Sequence, residues 1–202
     1  LWHTLSLHDA LPIWSNTTYP IALILAPTRE LAAQIGESVT AYGAGSGVRH
    51  AVIFGGVSKA HQITALRRNP HVVVATPGRL MDLESEHYLD LSAIKIVVLD
   101  EGDRMMDMGF IPEVRRILGK IGDDRQTALF SATMPAEIEK LARESLTDPV
   151  RLAAAKAEIS IDRIKQEVYH LPQAEKVSML NSLIVDNSMY KVLIFTRTKH
   201  KA

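Results

Sequence analysis

The sequence contains no cysteine, which excludes at once a disulfide framework, a thiolate metal site and a cysteine nucleophile. Aromatic residues make up only 5% of the 202 positions, so a core has to be assembled from Ala, Val, Ile, Leu and Met. No uninterrupted apolar run reaches the roughly 18 residues that a membrane-spanning helix needs, and no membrane partner is expected. Net charge is missing too, because 23 Lys and Arg balance 23 Asp and Glu. Taken alone, a balanced total speaks against a nucleic-acid partner, but the total hides an uneven distribution. Residues 21–150 carry 14 basic against 17 acidic side chains, whereas residues 151–202 carry 9 against 5.

What remains is ordinary globular material, 47% hydrophobic and 23% charged. Residues 1–20 stand apart: they hold both tryptophans, no Lys, Arg or Gly, and a single charge at Asp9. Without a basic start, and with His8 and Asp9 inside its apolar part, this stretch does not read as a secretory signal. Residues 1–18 are expected to lie outside the fold that follows. From Tyr19 onward, β-branched apolar runs appear at Ile21–Ala26, His50–Phe54, His71–Ala75, Ile94–Leu99, Thr127–Phe130 and Val150–Ala153. Helical-period segments separate them at Glu30–Tyr42, Lys59–Arg68, Arg79–Glu84, Pro112–Gly119 and Ala136–Leu146. Strands alternating with helices predict βαβ units, and runs as uniformly apolar as IALILA, VVVA and IVVL predict a parallel sheet covered on both faces. After the AAAKAEIS stretch, Ile164–Leu171, Glu175–Val185 and Lys191–Thr196 read as a strand, a helix and a strand opening a second α/β unit.

Ligands of open parallel sheets bind beyond the carboxyl ends of the strands, and every strand here is followed by small, hydroxylic or charged residues. Ile94–Leu99 runs into Asp100, Glu101, Gly102 and Asp103. One or two carboxylates at such a position suit Mg²⁺, whose octahedron is completed by water and phosphate, and a neighbouring carboxylate can orient an attacking water. The same acids can equally cap the next helix. Thr28-Arg29 and Thr76-Pro77-Gly78-Arg79 combine a helix start with hydroxyl, glycine and guanidinium, a set that holds phosphate or a nucleic-acid backbone. Helix capping and turn formation account for each of these turns as well. Gly55-Gly56 fits a tight turn, and Ser131-Ala132-Thr133 can either start a helix or hydrogen-bond Asp103. His50, His61, His71, His87 and His170 show no metal-ligand spacing and read as structural or surface groups.

In this order, PTRELAAQI, the glycine pair, ATPGRLMDL, VVLDEGDRMMDMGF and RQTALFSATMP resemble motifs Ia, GG, Ib, II and III of the DEAD-box ATP-dependent RNA helicases. VLIFTRTKHKA resembles the entry to motif IV, so the likeness runs over residues 20–202. The resemblance implies a RecA-like doubly wound α/β sheet over residues 19–153, a linker at 154–163 and the start of a second RecA-like domain at 164–202. It implies ATP and Mg²⁺ as cofactors, with Asp100 holding the metal through water and Glu101 positioning the hydrolytic water. It further implies that Asp103, Ser131 and Thr133 link hydrolysis to domain closure. Thr28, Arg29, Gly55, Gly56, Thr76, Pro77, Gly78 and Arg79 would grip an RNA sugar-phosphate backbone without reading bases. Protein partners are not indicated, and a cytoplasmic location is expected.

Two departures qualify these implications. The signature reads DEGD, with Gly102 where the family name has Ala. No Gly-x-x-x-x-Gly-Lys-Ser/Thr loop occurs: the first Gly is Gly36, the first Lys is Lys59, and the one Gly-Lys pair, Gly119-Lys120, is followed by Ile121. The chain therefore reads as a fragment, most of one RecA-like domain and part of another, expected not to hydrolyse ATP. Two rival readings are a DNA-directed superfamily 2 motor and a backbone-binding or interaction module without ATPase activity.

Overall fold

A computed structural model describes residues 19–153, 167–186 and 190–196. The chain divides into two compact units, Leu1–Val150 and Arg151–Ala202. In the first, five four-residue strands alternate with helices in the order β1 (Ala22–Leu25), α1 (Arg29–Tyr42), β2 (His50–Ile53), α2 (Ala60–Leu66), β3 (Val72–Ala75), α3 (Pro77–Ser85), β4 (Ile96–Leu99), α4 (Gly102–Asp107), α5 (Ile111–Leu118), β5 (Gln126–Leu129) and α6 (Ala136–Ser145). All pairings are parallel, and the strand order is β2-β3-β1-β4-β5. Register pairs Leu25 with both Ala75 and Leu99, Ile53 with Ala75, and Leu99 with Leu129. The five strands therefore finish level, and every loop that follows one emerges on the same edge.

Alternation along the strands splits the core in two. Leu23, Leu25, Ile53, Val73, Val97 and Leu99 face one side, against Leu80 and Leu83 of α3, Met105 of α4, Val114 and Ile117 of α5 and Ile138 and Leu141 of α6. Ala22, Val72 and Val74 face the other, against Ala32, Leu31 and Ile35 of α1. Both faces are covered over β1, β2 and β3, as uniformly apolar strands require, whereas Ile96 of β4 and Gln126 of β5 are exposed. Gly36 lets α1 lie close to the sheet, since a Cβ there would stand 2.5 Å from Val52 Cγ2. Ion pairs tie neighbouring helices on the more crowded face: Lys120 to Glu84 at 2.8 Å, and Arg115 to both Glu137 at 2.9 Å and Glu144 at 2.8 Å.

The second unit, as far as it is described, holds a 3₁₀ turn at Gln173–Glu175 and helix α7 (Lys176–Asp186), with no fully buried residue in either. No helix among the described residues is long and apolar enough to cross a membrane.

Among the described residues, three expected strands are not found. Val150–Ala153 and Lys191–Thr196 have strand-like composition but adopt no strand, and residues 167–171 are likewise irregular. Composition supplies side chains that suit a pleated surface, while a strand also needs a neighbouring strand to pair with, and the described sheet takes in none of these segments. Residues 164–166 of the expected strand, the segment 1–18 and the linker 154–163 lie outside the described residues. In the other direction, α4 is a helix that periodicity did not predict, and α3 begins two residues before the expected Arg79, with Pro77 in its first turn.

Candidate nucleotide and nucleic-acid site

Each side chain singled out in the first unit lies on the level edge described above. Asp100 follows β4 directly, with its amide donating to the Leu25 carbonyl at 3.0 Å, which locks it beside the end of β1. Its Oδ1 accepts from the Glu101 amide at 2.9 Å. No donor among the described residues reaches Oδ2, which leaves that oxygen for a cation or its water.

Glu101 has φ +51° and ψ +54°, the left-handed region that a side-chain-bearing residue seldom occupies. This bend turns the chain from strand into α4, so that Gly102 and Asp103 begin a helix while Glu101 stays at its mouth. The Glu101 carboxylate contacts Arg104 Nη1 at 3.3 Å. Gly102 donates its amide to the Phe130 carbonyl at 2.9 Å, and a Cβ there would stand 3.1 Å from Leu129 Cδ1. The alanine of the family signature would fit once that methyl yielded by a few tenths of an ångström.

Asp103 is the most fully engaged of the three acids. Its Oδ2 accepts from both the Thr133 amide and the Thr133 hydroxyl at 2.8 Å, and its own amide donates to Ser131 Oγ at 2.9 Å. Ser131 Oγ in turn donates to the Thr133 carbonyl at 2.7 Å. Partial burial acts to raise the Asp103 pKa, but the hydrogen bonds from Thr133 and its neighbours outweigh it and hold the carboxyl below its ordinary value. The result is a closed knot between the start of α4 and the loop after β5, the hydroxyl-to-acid contact that the SAT run allows.

The metal chemistry implied by the resemblance is compatible with these residues. Among the described residues no three or more His, Asp or Glu side chains converge as a cage. One carboxylate with a free oxygen, set at a strand end, matches the few protein ligands that Mg²⁺ takes when phosphate and water complete its shell.

The second group lies beyond β1, β2 and β3. Thr28 caps α1, its hydroxyl accepting from the Leu31 amide at 3.2 Å, so the capping alternative holds for this residue. Arg29 is exposed, pairs with Glu30 at 3.3 Å, and places Nη1 3.3 Å from where a Cβ on Gly56 would stand. Gly56 has φ +80°, which only glycine adopts without strain, and the Arg29 guanidinium rests against its bare backbone. Gly55 and Gly78 have open space where a Cβ would be. Thr76 is buried and extended before Pro77, as a residue preceding proline prefers, and its side chain makes no cap hydrogen bond. Arg79 is mostly buried: Nη2 donates to the Val57 carbonyl at 3.0 Å, Nε lies 3.4 Å from Asp82, and Nη1 has no partner among the described residues. Arg79 therefore fastens the Gly55–Ser58 turn to α3 and is not a free surface cation. Two contributors were not evident from sequence, Glu30 and Arg104. The only signal for them is charge spacing, one position from Arg29 and three from Glu101.

A family profile described as "DEAD/DEAH box helicase" matches residues 5–141, taking in most of the segment that composition set apart. The chain is similar to DEAD-box ATP-dependent RNA helicase 20 of Oryza sativa subsp. japonica, 43% identical over 195 residues, covering 95% of this chain and 39% of the relative. DEAD-box ATP-dependent RNA helicase 30 of Arabidopsis thaliana is 46% identical over 184 residues, covering 89% and 31%. A solved DEAD box protein from the hyperthermophile Methanococcus jannaschii aligns with a TM-score of 0.65 at 36% identity, covering 91% of this chain and 49% of that one. The chain thus spans between about a third and two fifths of the length of these curated relatives.

Proposed function

Because this chain belongs to the DEAD/DEAH box helicase family, we propose that it forms part of an ATP-dependent RNA helicase and contributes the acidic and RNA-gripping portion of the first RecA-like domain. The observation that carries this reading is the single level edge, where Asp100, Glu101 and the Asp103–Ser131–Thr133 knot stand beside Thr28, Arg29, Gly56 and Gly78. Asp100 would hold Mg²⁺ through water by its free oxygen. Bound ATP with its metal supplies the phosphoanhydride and the charge neutralisation for hydrolysis. Glu101, held at the strand end by its left-handed backbone, orients the attacking water and takes up its proton. The knot binds the loop after β5 to the acidic helix, so that a shift at one is felt at the other. Open space at Gly55 and Gly78, with the Arg29 guanidinium against Gly56, admits a sugar-phosphate backbone without reading bases.

The rival reading of a binding module without turnover keeps one specific support, the lack of any Gly-x-x-x-x-Gly-Lys-Ser/Thr in these 202 residues. Fluorescence anisotropy with labelled single-stranded RNA, competed by single-stranded DNA of the same sequence, tests the assignment. RNA is expected to bind, to weaken as salt rises because phosphate contacts release counterions, and to resist competition by DNA. Equal competition would replace the RNA reading with a DNA-directed one.

A further inference from the structure

Gln62 of α2 is buried, while the other polar side chains of that helix, His61 and Thr64, are exposed. Both ends of its carboxamide meet a single residue. Oε1 accepts from the Phe54 amide at 3.3 Å, and Nε2 donates to the Phe54 carbonyl at 3.0 Å. A carboxamide offers the same donor and acceptor as a peptide unit, so Gln62 supplies one rung where the sheet has no further strand. β2 is an outermost strand of the described sheet. The Ile53 carbonyl turns inward and accepts from the Thr76 amide at 2.9 Å, so the next residue, Phe54, presents its N–H and C=O to the outer edge. The segment closed by Gln62 contains the Gly55–Ser58 turn. That turn is held a second time at Val57, whose carbonyl accepts from Arg79 Nη2 at 3.0 Å. Between the two clamps stand Gly55, with open space where a Cβ would be, and Gly56, with φ +80°.

We propose that Gln62 is a positioning residue for nucleic-acid binding, which together with Arg79 sets the Gly55–Gly56 backbone in the conformation that receives a phosphodiester. This rests on the reading of that turn as an RNA contact. Gln62 is buried and touches no ligand itself. Two successive glycines lose more conformational freedom on ordering than any other pair. In an unclamped turn that loss falls on the binding step and weakens affinity by the same amount. Clamped at Phe54 and Val57, the turn presents Gly56 in its left-handed conformation, with the Arg29 guanidinium against it, before any RNA arrives. Burial and helix propensity would be served at least as well by leucine or methionine at position 62. What only the carboxamide adds is the pair of hydrogen bonds to Phe54, and these act on the turn.

The test uses the whole 202-residue chain, with ¹⁵N relaxation of the Gly55 and Gly56 amides and anisotropy of labelled single-stranded oligouridylate. In the unmodified chain without RNA, both glycine amides are expected to be as ordered as the strands, with order parameters of about 0.85. Glycine amides that are mobile in the free chain overturn the proposal, and this reading needs no variant to fold. Gln62→Met keeps the length of the side chain and removes both hydrogen bonds. It is expected to lower RNA affinity about tenfold and to lower the order parameters of both glycines. Ile138→Val, in the helix that follows the strand at the opposite edge of the sheet, controls for lost core packing and is expected to leave affinity and both amides unchanged. Affinity of Gln62→Met within about twofold of the unmodified chain, an equal loss in Ile138→Val, or a loss with the glycine amides still ordered overturns the clamp and leaves the RNA reading standing. No binding by the unmodified chain removes the RNA reading, and the role of Gln62 with it.

Discussion

Gly78 separates what the fold needs from what a ligand would need. It is the second residue of α3, exposed, with nothing within 4 Å of the position a Cβ would take. The fold gains nothing from glycine there, and Gly78→Ala should raise stability by about 0.5–1 kcal/mol through helix propensity, read from urea unfolding. The added methyl would stand between the helix start and an approaching phosphate, so RNA affinity should fall by roughly tenfold, read from anisotropy. A variant that is more stable and binds as well as before would take Gly78 out of the interface. Gly56 cannot serve for such a comparison, because its positive φ makes any substitution strained whatever binds.

At the scale of elements, Gly36 is the reverse case. A Cβ at 2.5 Å from Val52 Cγ2 presses on a β-branched side chain with little rotamer freedom. Gly36→Ala should therefore destabilise by about 1–3 kcal/mol despite the better helix former, and a rise in thermal midpoint would show that α1 can lift from β2 without cost. Strands β1, β3 and β4 were legible because ALIL, VVVA and IVVL carry no polar residue, the composition of central strands in a parallel sheet. Helix α4 was not, since GDRMMD is six residues long and begins on a left-handed Glu101, too short for periodicity to register and without a conventional cap. Val150–Ala153 and Lys191–Thr196 failed for the opposite reason, because apolar composition was present and pairing was not. The acids of the site were readable as a pattern after a strand. The contact from the Ser131–Thr133 run to Asp103 was readable only as one of two alternatives, because it depends on where the loop after β5 meets α4, while the Glu101–Arg104 pair is a local i,i+3 contact that charge spacing alone hinted at.

For the whole molecule, two groups give stability a defined response to acid. His71 is fully buried, accepts the Arg49 amide on Nδ1 at 3.1 Å, and has its pKa lowered by burial and then by Arg49. A lowered folded-state pKa means that the neutral form belongs to the native state. Its contribution is complete above the unfolded value of about 6.5 and is lost as pH falls through the folded one. Asp103, also lowered, contributes above the unfolded value of about 3.9 and loses that contribution as pH drops further. Unfolding free energy against pH should thus decline first below about 6.5 and again below about 3.9, with the lower limb reduced in D103N. A single decline confined to the carboxylate range would show that His71 takes up its proton as readily in the native protein as in the unfolded chain. The unmodified chain should also show no RNA-stimulated ATP turnover above background, since nothing in its sequence supplies the Gly-Lys-Ser/Thr phosphate loop. Measured turnover in a coupled assay would require a phosphate cradle of another kind.

The level strand ends have a kinetic consequence. Leu25 pairs with Leu99 on one side and Ala75 on the other, so the central strand finds its neighbours only after long loops have closed. Sheets built from such distant pairings fold slowly, on the order of milliseconds to seconds, and no subset of the chain assembles the edge in advance. Recovery of ligand binding during refolding should therefore track completion of the sheet and not the appearance of helix.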